Sequence, residues 1–164
     1  MAKQSRMVKT NAVRILEGEG VHYELMEYDV IDGLVDGVSV AAKTGQVVES
    51  VFKTLVTMAG PRELFVYLVP VALELDLKKA ARAAGVKKLD MLPLKDLTKE
   101  TGYMRGGCSA IGMKKNYPTF IDESAQSLDL MTVSAGKVGL QMKLAPDELA
   151  RVASATFYDV VKYS

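Results

Sequence analysis

Two apolar, β-prone runs on either side of a Gly-Pro turn constrain this chain most. Val51 to Ala59 and Glu63 to Pro70 flank Gly60-Pro61, and such a pair predicts a β-hairpin. Neither run approaches the ~20 apolar residues that cross a bilayer, so no membrane partner is expected. A chain of 164 residues reads as a single domain over 1–164, with 1–8 as a flexible N-terminal extension. Apolar residues at 49% and charged residues at 25% exclude disorder, collagen and coiled coil. The basic start Met1-Ala2-Lys3-Gln4-Ser5-Arg6 is followed by no apolar signal core.

Around the hairpin, the pattern mixes short helices and strands. Thr10-Asn11 offers N-cap oxygens to an apolar stripe of Ala12, Val13, Ile15 and Leu16, which Gly18 and Gly20 stop. His22 to Tyr28 reads as a strand, and the acidic stretch Asp29 to Gly37 as a loop. Ser39 is placed to cap a short helix through Lys43. Leu77 to Ala84 predicts a helix closed by Gly85. Lys87 to Leu92 predicts a strand, and Pro93 to Lys99 a helix with proline near its start. Thr101 to Gly112, with four glycines, predicts a loop. Pro118 to Asp122 and Leu128 to Ser134 read as strands. A tight Ala135-Gly136-Lys137 turn then leads into a strand from Val138 to Leu144, and Pro146 starts a last helix to about Ser154. No regular βαβ rhythm is present. The expected fold is therefore α+β, with a mixed, largely antiparallel, barrel-like sheet flanked by helices.

Charge is distributed unevenly. The net charge is only +1, yet Lys53 to Lys115 holds twelve Lys and Arg against six Asp and Glu. Lys78-Lys79, Arg82, Lys87-Lys88 and Lys114-Lys115 suit a polyanion gripped locally, or solvated helix faces.

Familiar catalytic machinery is sparse. One cysteine excludes an internal disulfide, and one histidine excludes most zinc chemistry. Neither a metal nor a cofactor is expected, and a reducing, cytoplasmic setting is the natural reading. Cys108 with His22 as its base lacks an identified third group to orient the pair. There is no Gly-x-Ser-x-Gly elbow, phosphate-cradling loop or dinucleotide fingerprint.

Three features remain as candidate chemistry. Lys53 and Thr54 lie inside the apolar run Val51-Phe52-Lys53-Thr54-Leu55-Val56, where Lys53 either snorkels to solvent or lines a pocket. Thr101 to Gly112 contains Gly106-Gly107-Cys108-Ser109, whose glycines let backbone N–H groups approach an oxyanion or phosphate. Val133 to Leu140 contains Ser134-Ala135-Gly136-Lys137, either a plain hairpin turn or a second set of donors.

In this order, the three features resemble the YbaK/ProX/EbsC family of trans-acting aminoacyl-tRNA editing deacylases, and most of all its YbaK branch. Lys9-Thr10-Asn11-Ala12, Leu75-Asp76-Leu77-Lys78-Lys79-Ala80-Ala81, Thr101-Gly102-Tyr103, Gly112 with Lys114-Lys115, and Gly139-Leu140 extend the likeness over nearly the whole chain. It implies a compact domain that removes an amino acid wrongly attached to the 3′ adenosine of tRNA, most of all from Cys-tRNA(Pro). Lys53 aligns with the family lysine, Gly106 to Ser109 with its glycine loop, and Ser134 to Lys137 with its Gly-Lys turn. Tyr28 aligns with a pocket-edge tyrosine.

The implied catalytic groups are Lys53, Gly106 and Ser134. The implied substrate contacts are Tyr28, Thr54, Gly107, Cys108, Ser109, Ala135, Gly136, Lys137 and Gln141. Three departures bear on amino-acid preference: Ala110 stands where many members have proline, Gln141 where the best-known members have aspartate, and no early-loop aromatic lies between Asp29 and Gly37. The implied reaction is attack by the substrate's own thiol on its ester carbon. The expected partners are the tRNA acceptor end and prolyl-tRNA synthetase, and the expected state is a monomer. Cys-tRNA(Cys) is a second expected cysteinyl substrate. Competing readings are release of alanine from Ala-tRNA(Pro) or of another small amino acid, a non-catalytic tRNA or synthetase binder, and a nucleotide-binding regulator.

Overall fold

A computed structural model describes residues 9–34, 36–61 and 63–163. The N-terminal extension expected over 1–8 lies outside the described residues. The hairpin is the spine of the molecule. Strands β2 (Phe52–Gly60) and β3 (Glu63–Pro70) pair antiparallel from Phe52↔Pro70 to Gly60↔Glu63. From Leu64 to Pro70, every residue of β3 is buried. A strand covered on both faces reads as an unbroken apolar run.

The period of two divides the core. Leu64, Val66 and Leu68 enter a larger cluster, while Phe65, Tyr67 and Val69 enter a smaller one on the other face. The smaller cluster is closed by helix α3 (Leu77–Ala84) through Ala80 and Ala81, and by Val160 and Val161 near the C-terminus. Tyr67 stacks on Phe120 and donates its hydroxyl to the Ala80 carbonyl at 2.6 Å, so the buried phenol is satisfied. Asp76 caps α3 by accepting from the Lys78 and Lys79 N–H groups, and Gly85 ends it at φ +71° as expected.

The larger cluster is closed by helix α1 (Asn11–Gly18), by a three-stranded sheet and by helix α5 (Pro146–Ala153). Thr10 caps α1 as expected. The three-stranded sheet runs β1 (Glu24–Glu27), β8 (Leu140–Leu144), β7 (Met131–Lys137), all antiparallel. Helix α2 (Gly37–Lys43) precedes the hairpin. Its cap is Asp36 rather than Ser39; Ser39 lies inside the first turn and donates both its N–H and its hydroxyl to Asp36. After α3 come the two-residue strand β5 (Asp90–Met91), shorter than the strand expected over 87–92, and helix α4 (Leu94–Thr101).

The main sheet has five strands in the order β5-β2-β3-β6-β9, with β6 at Thr119–Asp122 and β9 at Ala155–Tyr158. β6 is parallel to both β3 and β9; the other pairings are antiparallel. The expected mixed, largely antiparallel α+β architecture is therefore present, with one correction. The sheet does not close into a barrel. A single parallel bridge, Val51↔Thr132, joins the five- and three-stranded sheets. β1 and β9 end the two sheets and do not pair with each other.

The end of the chain was not anticipated. After α5, Ser154 adopts a left-handed conformation at φ +53°, and the chain adds β9 to the main sheet. A last strand, β10 (Val161–Lys162), then pairs with β4 (Glu74–Leu75). Asp122 organises this return. It is fully buried, accepts the Ser124 N–H and hydroxyl on one oxygen, and accepts the Val160 N–H on the other. Lys79 holds the same segment through Asp159, the Val161 carbonyl and the ring of Tyr163. It is thus one member of the basic segment with a structural task. Asp122→Ala leaves the buried Val160 N–H and the part-buried Ser124 N–H without their acceptor, and should cost about 2–3 kcal/mol. Urea denaturation checks this; a loss below about 0.5 kcal/mol would show that Asp122 does not anchor the C-terminal strands.

Candidate active site

The two sheets part beside the start of β2 and leave a cleft of about 710 Å³. β5 pairs with Thr57 and Met58, so among the described residues the outer edge of β2 ahead of them has no strand partner. That edge, Phe52 to Leu55, forms one wall. The N-terminal end of α2 forms a second. A Cβ at Gly37 would lie 2.2 Å from Val71 Cγ1, so only glycine lets the helix seat directly on the chain leaving β3. The acidic loop before α2 is held by Lys43, whose Nζ donates to the Asp29 carbonyl, Asp32 Oδ1 and the Leu34 carbonyl at 2.7, 2.7 and 2.8 Å. The Lys43 ammonium holds the Asp32 carboxyl below its usual range.

The remaining wall joins the two glycine motifs. Tyr103 anchors the loop after α4, donating its hydroxyl to the Ile111 carbonyl at 2.6 Å. Ser109 is fully buried and accepts the Ile111 N–H. A Cβ at Gly107 would lie 2.7 Å from the Val138 backbone nitrogen, so this loop rests on the turn between β7 and β8. That turn is Val138-Gly139, two residues beyond the expected one, because Ala135-Gly136 form a bulge between Ser134↔Gln141 and Lys137↔Leu140. Gly136 has φ +99°, and a Cβ there would meet the Tyr103 ring at 2.9 Å. The motifs, separated by 25 or more residues, therefore dock on one another.

Of the residues singled out in the sequence, Tyr28, Lys53, Thr54, Gly106, Cys108, Ser134 and Gln141 line the cleft. Gly107, Ser109, Ala135, Gly136 and Lys137 do not line it. The two glycines and Ser109 shape it from behind, Ala135 is buried with its carbonyl accepting from Thr10, and Lys137 is exposed. Asp36, Gly37, Val71 and Arg105 also line it and were not anticipated. Arg105 carried a readable signal, a guanidinium beside Gly106-Gly107; Val71 carried none.

Lys53 Nζ approaches the Val71 carbonyl at 3.5 Å. No carboxylate lies within ion-pair distance of it among the described residues. Burial pushes its pKa below the ordinary lysine value, and the charge of Glu74 partly opposes this. The neighbouring Thr54 Oγ1 is buried without a partner among the described residues. Gly107 N–H donates to the Met104 carbonyl and Gly136 N–H to Ser134 Oγ, so neither is open to a ligand. The N–H groups of Gly106 and Cys108, on the cleft wall, make no hydrogen bond among the described residues. Burial pushes the Cys108 thiol up to about 12, so at neutral pH it stays a thiol and a poor nucleophile. His22 is exposed and not part of the cleft lining. Among the described residues, no group of three His, Cys, Asp or Glu could hold a metal ion.

The arrangement offers an unpaired cation, unpartnered main-chain donors and an orphaned hydroxyl around one cavity. These groups suit stabilisation of negative charge on oxygen, without a protein nucleophile.

Comparison with known proteins points the same way. A family model described as an aminoacyl-tRNA editing domain matches residues 35–152, a span that carries Lys53, both glycine motifs and Gln141. An Enterococcus faecalis protein is 44% identical over 160 residues, 98% of each chain; its provisional name is Cys-tRNA(Pro)/Cys-tRNA(Cys) deacylase EbsC. A solved structure provisionally described as a trans-editing enzyme for prolyl tRNA synthetase superposes with a TM-score of 0.83 at 24% identity, covering 96% of this chain and 100% of that one. The hypothetical protein APE2540 superposes with a TM-score of 0.84 at 18% identity, covering 93% and 100%. These last two show the shared fold. With a family match over most of its length, including all of the cleft lining except Tyr28 and Gly33, the chain belongs to the aminoacyl-tRNA editing domain family.

Proposed function

We propose that this protein is a trans-acting editing deacylase that clears mischarged aminoacyl-tRNA, with Cys-tRNA(Pro) as its main substrate. The observation that carries the reading is a cleft with an unpaired, half-buried lysine and free backbone donors but no thiolate or metal-binding group among the described residues. The name of the 44%-identical relative, which pairs cysteine with tRNA(Pro), supports the substrate.

The chemistry needs little from the enzyme, because an aminoacyl ester is already activated. The cysteinyl thiol attacks its own carbonyl carbon. A C–S bond forms, the ester C–O bond breaks, and the ribose oxygen leaves as a hydroxyl with the proton that the thiol gave up. Holding thiol and carbonyl together supplies an effective molarity of about 10⁵ M or more. The N–H groups of Gly106 and Cys108 face the developing oxyanion, and Lys53 adds a positive charge beside it. Tyr28, Thr54, Ser134 and Gln141 orient the acyl-adenosine end. Arg105, at the same wall, meets phosphate of the acceptor end, where a guanidinium binds well. Prolyl-tRNA synthetase, which charges tRNA(Pro), is the proposed partner, and the protein acts as a monomer in the cytoplasm.

Incubation with labelled Cys-tRNA(Pro), Cys-tRNA(Cys) and Ala-tRNA(Pro) tests the substrate; fastest release is expected from a cysteinyl ester. Faster release from Ala-tRNA(Pro) would exclude the thiol route, and binding without release would make the protein a non-catalytic module. Lys53→Ala should fold normally and lose about 100-fold or more in turnover, the scale of one oxyanion-stabilising group. Because the lysine's pKa is lowered, activity needing its ammonium should fall on the alkaline side below the ordinary lysine range. Lys53→Arg, which does not titrate there, should lack that falling limb. Cys108→Ala should keep its activity; an inactive, well-folded variant would make the protein's own thiol the nucleophile.

Thr54→Val removes a buried hydroxyl without a partner. It should melt at or above the parental temperature, gaining up to about 1 kcal/mol, yet turn over more slowly. Parental turnover in that variant would remove Thr54 from the substrate contacts.

A further inference from the structure

Behind the cleft, a chain of hydrogen bonds sets the direction of one lining side chain. It starts at the end of α2. A carbonyl can only accept, so Thr44 Oγ1 spends its hydrogen on the Val40 carbonyl at 2.9 Å, with the Ala41 carbonyl at 3.3 Å. The Thr44 oxygen is then an acceptor, and Gln46 Nε2 donates to it at 2.8 Å. The amide nitrogen of Gln46 therefore faces Thr44. Its second hydrogen goes to Gln141 Oε1 at 3.2 Å. On its other side, Gln46 Oε1 accepts from the fully buried Thr132 hydroxyl. Reversing the Gln141 amide would set two N–H groups against each other with no acceptor between them.

Gln141 lines the cleft and is only 7% exposed. With its oxygen held from behind, its Nε2 is left for the cleft, and that nitrogen has no acceptor among the described residues. We infer that Gln46 is a positioning residue that fixes the polarity of Gln141, so that the cleft presents amide N–H donors to an uncharged oxygen of the ester-linked substrate. The inference rests on the deacylase reading for its substrate, but the polarity itself does not. A carboxylate at position 141 would present acceptors and a negative charge, which suits an ammonium group instead. The neutral amide selects the ester or ribose oxygen.

Side-chain amide hydrogen exchange in the full-length protein, followed by ¹⁵N-edited NMR, tests the polarity without substrate. The Gln46 amide protons should exchange about tenfold more slowly than those of Gln141, the factor one hydrogen bond supplies. In Gln46→Glu the new carboxylate only accepts, so the Gln141 amide should reverse and its protons should slow by a similar factor. Faster exchange at Gln46 than at Gln141 in the parent, or no change at Gln141 in the variant, would overturn the inference. Should Gln46→Glu fail to fold, Thr44→Val removes the anchor with little change of shape. Loss of protection at Gln46 then supports the relay, and unchanged protection overturns it.

Kinetics reads the consequence. Gln46→Glu should raise KM for Cys-tRNA(Pro) about tenfold, with kcat within about twofold. Parental KM in a variant whose Gln141 amide has reversed would sink the substrate contact alone. A parent protein that releases no amino acid from any charged tRNA would sink the deacylase reading, while the exchange rates still decide the polarity.

Discussion

Burial of β3 on both faces is the constraint on which the rest of the structure depends. A strand in this position cannot carry a charged side chain on either side, and Leu64 to Pro70 carries none. Alternation along it then assigns the two cores. The larger must be roofed by α1, α5 and the three-stranded sheet; the smaller by α3 and the returning C-terminus. β2 shares the alternation, with Phe52 and Val56 in the larger core and Leu55 packed against the smaller. Lys53 falls on the side of Leu55, near the start of the strand, where it is part-buried and lines the cleft.

The cleft exists because the sheets do not close. Continuous pairing from β7 to β2 would have consumed the outer edge of β2; one bridge at Val51↔Thr132 leaves it open. Close backbone packing then brings the functional loops to that edge. Gly37 on Val71, Gly107 on the Lys137–Val138 backbone and Gly136 on Tyr103 are each contacts that a Cβ would prevent. The glycines named in the sequence as oxyanion donors thus divide the work. Gly106 and Cys108, on the cleft wall, have N–H groups without a partner among the described residues, while Gly107 and Gly136 spend theirs internally and supply close packing.

This division suits the proposed route, which needs no triad. Among the described residues of the cleft the Cys108 thiol is no activated nucleophile, because burial holds it protonated. Positive charge and donors are set around a cavity, with Thr54 Oγ1 left without a partner beside them. Pre-placed groups of this kind reorganise little during a reaction, which is the usual source of their effect. In the inferred relay, the main-chain carbonyl of Val40 sets, through Thr44 and Gln46, which end of the Gln141 amide is left for the cleft.

Local chemistry alone determined the hairpin, the first helix with its Thr10 cap, the α3 stop at Gly85, the α+β class and the residues that resemble an editing domain. Each depends on side chains within a few positions of one another, so a linear reading can detect it. The α2 cap was misread because Asp36 and Ser39 both carry capping oxygens, and only the backbone conformation separates them. The strands Ala155–Tyr158 and Val161–Lys162, four and two residues long, went unread because they are too short to show a clear period of two. The open sheet, the bulge at Ala135-Gly136, the roles of Val71 and Asp36 in the cleft, and the relay from Thr44 to Gln141 were decided only by the tertiary structure. All are contacts between segments distant along the chain, set by how layers pack once the core has formed, and no local spacing encodes them.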